Sequence, residues 1–160
     1  MRFPRVIRLD ESDRQVYDAP ATPGEWAVPG AFAFLEADVG RLGGKARAAL
    51  RHGFLGSESF GWSTLVAVDE IGAEEYQAVI ERLADHFIRH YGAPDRAAAL
   101  TAARAEAEFA AGICDHEIHT LLALERTIED GAVVERFRVV RPPSAMDHDR
   151  VRLWAVEDAR

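Results

Sequence analysis

At 160 residues and 17.7 kDa, the chain can form one domain, residues 1–160, with a full hydrophobic core and no staples. Nineteen basic against 27 acidic residues give a formal charge of −8, which argues against nucleic-acid and anionic-membrane partners, since both demand a basic face. One cysteine excludes an internal disulfide, and no apolar run has the length of a signal peptide or of a membrane span (~20 residues), so the cytoplasm is the expected location.

Arg5-Val6-Ile7-Arg8-Leu9 reads as a short strand, ended by Asp10-Glu11-Ser12-Asp13. The first third, 1–61, is rich in loop signals, with Pro20, Pro23, Gly24, Pro29 and Gly30 close together. Trp26-Ala27-Val28 and Ala31-Phe32-Ala33-Phe34-Leu35 are strand candidates within it, and their aromatics predict packing onto the core. Arg41 to His52 is a short helix candidate weakened by Gly43 and Gly44. A glycine-punctuated turn at 54–61 then leads into a strand over Trp62 to Val68.

The middle of the chain predicts a helix pair over 73–114. Tyr76, Val79, Ile80, Leu83, Phe87 and Tyr91 recur at spacings of three and four, and Gly92 stops the helix. Pro94 and Asp95 open the second helix, which runs to about Cys114. Small residues on one side, with Phe109 and Ile113 on the other, predict a helix covered on two faces and little exposed.

A hairpin over 117–141 follows, with Asp130-Gly131 as its turn. Folding there sets Ile128 against Val133, Arg126 against Glu135, Leu124 against Phe137, Leu122 against Val139 and Glu125 against Arg136. Apolar residues meet apolar ones and charges meet their opposites, as cross-strand energetics favour. Pro142-Pro143 ends the hairpin, and alternation at Val151 to Val156 predicts a tail strand over 149–156. The expected fold class is α+β: a mostly antiparallel sheet with a pair of helices packed on one face.

Candidate chemistry is concentrated in Cys114-Asp115-His116-Glu117-Ile118-His119. Cys114, His116 and His119 offer a thiolate and two imidazoles to zinc or iron, with Asp115 and Glu117 as outer partners or a base. That spacing matches no recognised zinc pattern, and its ligands converge only if the chain turns sharply after Ile113. The alternative is a buried, inert thiol, because Cys114 continues an apolar stripe and stands where the helix dipole disfavours an anion. His86 and His90 form an i, i+4 pair, but Phe87 occupies the place of the metalloprotease glutamate; His90 is expected in the apolar stripe and His86 at its edge.

Other motifs are incomplete. Gly44-Lys45 lacks a phosphate loop's first glycine and its hydroxyl residue, Ser57 replaces the first glycine of a hydrolase elbow around Ser59, and no glycine-rich dinucleotide fingerprint follows a strand. Glu106 and Glu108 fall on different helix faces and make no acid/base pair. Trp26, Trp62 and Trp154 read as core or interface anchors. Lys45 is the only lysine, and with alanine so abundant the arginine count reflects composition rather than anion recognition.

Three segments carry a resemblance: Arg2-Phe3-Pro4-Arg5-Val6-Ile7-Arg8-Leu9, Gly24-Glu25-Trp26-Ala27-Val28-Pro29-Gly30-Ala31-Phe32 and Leu55-Gly56-Ser57-Glu58-Ser59-Phe60-Gly61. They look like a small proteobacterial family known only as a domain of unknown function. The resemblance implies a bacterial cytoplasmic protein without assigned activity, linked to redox-enzyme assembly, and transfers no site residue. Together these readings predict a non-catalytic accessory or interaction protein, acting through the many large aromatics of the loop-rich first third, with a protein partner or a homo-oligomeric state. A metal- or thiol-dependent enzyme built on Cys114, His116 and His119 is the alternative.

Overall fold

The computed structural model of the protein describes residues 1–141 and 155–158. Strand β1 (Arg2–Ile7) lies antiparallel to β5 (Leu65–Glu70), with Val6 opposite Val66. Sheet order is β1-β5-β6-β7-β8, where β6 is Leu121–Glu129, β7 Ala132–Arg141 and β8 Ala155–Asp158. A second, three-stranded antiparallel sheet holds β2 (Ala27–Val28), β3 (Phe54–Gly56) and β4 (Trp62–Ser63). Among the described residues four α-helices complete the α+β fold: α1 (Ser12–Val16), α2 (Gly44–His52), α3 (Ala73–His90) and α4 (Arg96–Gly112).

The β6–β7 hairpin has the expected register at every pair named above, with Asp130 and Gly131 both at positive φ as a two-residue turn requires. Beyond β7, β8 pairs antiparallel through Arg141↔Ala155, while the expected strand residues 149–154 lie outside the described residues.

The small sheet feeds two cores by simple alternation. Ala27 and Phe54 join Val6, Val66, Val68, Leu122 and Leu124 of the large sheet. Trp26, Val28 and Leu55 point the other way, into the cluster formed by the helix pair. Trp26 ties the layers together: Phe3 meets its ring edge-on, Arg5 lies 4.3 Å over it, and its indole N–H donates to Glu75 on α3 at 2.7 Å.

Helix α3 buries Val79, Ile80, Leu83 and Phe87 of the predicted stripe and half-buries Tyr76, whereas Tyr91, its C-cap, is exposed and is followed by Gly92 at φ 68. Asp95 caps α4 by accepting the N–H of Ala98 at 2.8 Å. Ala99, Ala103, Ala107 and Ala110 are fully buried against α3 and the small sheet, since only short side chains let the backbones approach that closely.

Three expectations need correction. Helix α4 is fully covered on its alanine face but only partly on the other: Phe109 is 47% exposed although its ring meets Phe137 at 5.9 Å, and Ile113 is half-buried against the large-sheet core. Residues Ala31–Phe34 form a 3-10 helix rather than a strand, because Gly30 turns the chain at φ 82 and then Phe34 stacks on Trp62. A Cβ at Gly30 would stand 2.7 Å from that of Leu55, so both space and backbone demand glycine. The strand expected over Trp62 to Val68 is broken at Thr64, whose N–H and hydroxyl are held by the buried carboxylate of Asp13 at 3.2 and 2.7 Å. There the chain passes from the small sheet to the large one.

Candidate functional site

The chain does turn sharply after Ile113, but it separates the potential ligands rather than gathering them. Cys114 N–H bonds Ala111 O at 3.1 Å, and His116 N–H bonds Cys114 O at 2.8 Å. His119, at φ 74, then hands its N–H to Val68 O at 2.7 Å and leads into β6. Cys114 is 1% exposed and packs among the aliphatic side chains of the large sheet. Burial pushes its thiol up to about 12, so the thiolate is suppressed at neutral pH. His119, Asp115 and Glu117 are exposed, while half-buried His116 offers its carbonyl to the Arg2 guanidinium. Among the described residues no three of His, Cys, Asp and Glu come together to hold a metal, so Cys114, His116 and His119 form no ligand set here. A direct consequence concerns labelling with an aromatic disulfide at pH 8. Native Cys114 should react on the order of a hundredfold more slowly than in urea. Native labelling at the unfolded rate would show that the sulfur is open to solvent.

The histidine pair on α3 also differs from expectation. His86 is the half-buried member and His90 the exposed one. Phe60, from the turn after β3, lies flat on the His86 ring at 3.8 Å and 2°, a partner that helix spacing alone does not reveal. Desolvation, with His90 at 4.8 Å, lowers the His86 pKa.

Three buried polar clusters are structural bolts. The carboxylate of Glu25 accepts the N–H groups of Thr22, Glu58 and Ser59 at 2.7, 2.9 and 3.0 Å, and the Ser59 hydroxyl at 2.6 Å. Asp13 holds Thr64, whose Oγ1 also meets the Tyr17 hydroxyl at 2.8 Å. Arg126, 1% exposed, donates to Glu135 at 2.8 Å, to Ala49 and Leu50 O at 3.2 and 3.1 Å, and to Pro29 O. Those carbonyls belong to the last turn of α2 and to the loop before the 3-10 helix, so one guanidinium locks three elements. Its signal in the sequence is its place on the apolar face of β6, two residues beyond Leu124. Glu106 lies near this cluster and accepts the Gly30 N–H at 3.1 Å; desolvation raises its pKa. In each cluster the fold's own backbone and side chains take up the charged group.

One surface feature with room for a ligand lies apart from these clusters. An open groove of about 840 Å³ runs between the 3-10 helix and the α3–α4 turn, lined by Phe32, Leu35, Glu36, Phe87, His90 and Tyr91 among others. Phe32 meets Phe87 and Tyr91 edge-on at 4.8 and 5.3 Å, making an aromatic floor. Leu35 is 72% exposed and Tyr91 45% exposed at the rim.

A family model matches residues 1–156. The chain belongs to DUF6505, a family of unknown function. No curated protein and no solved structure matches it. In this DUF6505 chain, two of the segments that carried the resemblance meet in space, because Glu25 of one clamps Glu58 and Ser59 of the other. The same two segments supply Phe32 to the groove and Phe60 to its flank. No helix among the described residues is long and apolar enough to cross a membrane.

Proposed function

We propose that the protein is a non-catalytic accessory protein of the bacterial cytoplasm that binds an apolar segment of another protein in the groove between the 3-10 helix and the α3–α4 turn. The observation that carries this reading is one groove whose lining joins two exposed large apolar side chains, Leu35 and Tyr91, to the rings of Phe32 and Phe87. Isolated exposed apolar residues need no explanation, whereas a concave group with aromatics at its base is the form of a binding site. The fates of the buried charged groups support the same reading, since Glu25, Asp13 and Arg126 are all engaged within the fold. The resemblance, not the groove, suggests redox-enzyme assembly as the process served.

Site-specific incorporation of a benzophenone amino acid tests this in living cells. A probe at Leu35 should give a discrete cross-linked species, and one at Ile128 on the hairpin, 40% exposed, should not. Equal labelling from both positions, or none from either, would remove the groove from consideration.

A further inference from the structure

Near the end of α3, His86 and His90 stand one helical turn apart, with ring centroids 4.8 Å apart and ring planes at 52°. An imidazole nitrogen bonds a metal at about 2.05 Å, which sets the ion about 3.2 Å from the ring centroid. Two such ligands at about 90–110° therefore have centroids about 4.5–5.2 Å apart, whereas linear coordination needs about 6.4 Å. The observed separation is that of a cis chelating pair.

The His86 ring is also held in place. Phe60 lies flat on it at 3.8 Å, and the Phe60 backbone stands at φ 54, a conformation that is costly for a bulky residue. The Glu25 carboxylate fixes that turn by accepting the N–H groups of Glu58 and Ser59. Desolvation of His86, with His90 beside it, lowers its pKa and favours the neutral ring that a metal requires. The surrounding charge does not repel a cation. Glu36, Glu58 and Asp85 line the two concavities that meet at His90, against Arg82 and Arg89, and Arg96 of α4 pairs with Asp85 at 2.6 Å. Three carboxylates thus balance three guanidiniums, and the C-terminal end of α3 adds partial negative charge.

We infer that His86 and His90 together bind one divalent transition-metal ion, of the nickel or copper(II) class, at the C-terminal end of α3. Imidazole pairs near a right angle suit the tetragonal geometry that these ions prefer. Among the described residues no third His, Cys, Asp or Glu joins the pair, so water takes the remaining positions. His90 lines the groove as well as the neighbouring cleft, which places the ion where the two meet. The site needs no occupant in the groove and stands apart from the binding role proposed above.

Equilibrium dialysis of the full chain, purified without a polyhistidine tag, against nickel(II) at about pH 7.5 tests the site. One equivalent should bind saturably, and His90→Ala should weaken binding at least about tenfold, because a lone imidazole lacks the effective concentration of a chelating pair. His90 is exposed at the end of its helix, so the variant keeps its fold, which the urea midpoint checks. His119→Ala, at an exposed histidine outside the pair, should bind as the parent does. Absence of saturable binding, or binding that His90→Ala leaves unchanged, would overturn the proposal. So would loss of the ion from His119→Ala, which would move the site to the segment after Cys114.

Discussion

Arg126→Met should cost about 3–5 kcal/mol of stability, because it removes the cation from a buried pair and leaves Glu135 charged and uncompensated. The loss extends beyond the ion pair, since Ala49, Leu50 and Pro29 surrender donors that water replaces poorly at a site 1% exposed. Arg126→Lys retains the charge but not the planar fork, so it reaches fewer of these acceptors and should fall between the parent and the methionine variant. Arg126→Met combined with Glu135→Leu should recover part of the deficit, because the stranded carboxylate is gone although the carbonyls remain unserved. Urea unfolding midpoints at constant m-value read all three. A loss below about 1 kcal/mol for Arg126→Met, the ordinary size for a substitution, would mean that the guanidinium does not lock α2 and the hairpin together.

The second large effect is expected at Glu25. Glu25→Ala strips the acceptor from three backbone N–H groups and one hydroxyl, and should destabilise by about 3 kcal/mol given 1–3 kcal/mol for each buried orphan and partial access of water. Gly56→Ala attacks the same cluster from another side, since its Cβ would stand 2.3 Å from a Glu25 carboxylate oxygen. Because both changes break one network, their combined cost should be clearly less than the sum. Strict additivity in chemical unfolding would show that Gly56 is constrained by something other than Glu25.

These two residues also show where sequence reasoning reaches its limit. Local periodicity alone makes α3 and the β6–β7 hairpin legible, because both are governed by contacts between residues near in the chain. The hairpin register even pairs Arg126 with Glu135, yet a cross-strand ion pair reads as a surface feature until α2 and the Pro29 loop are seen to close over it. Glu25 carries no periodic signal at all; its partners at 58 and 59 are more than thirty positions away. Residues Ala31–Phe34 misled for a different reason, since alternating alanine and phenylalanine has the period of a strand while the turn at Gly30 sets the path. Among the chemical candidates, the sharp turn after Ile113 was readable, but the direction of each side chain was not. Docking of the hairpin onto β5 seals the Cys114 sulfur and leaves His119 outside. The groove was foreshadowed only as a surplus of aromatics in irregular chain.

By itself, the order of residues determined an acidic α+β chain, its long helix, its helix caps and the pairing of its hairpin, since short-range spacing and turn chemistry suffice for these. Tertiary structure alone decided which charges are buried, which histidine is shielded and where an apolar surface stays open. Those outcomes depend on elements brought together across long stretches of chain, and burial is a property of the assembled neighbourhood rather than of any segment.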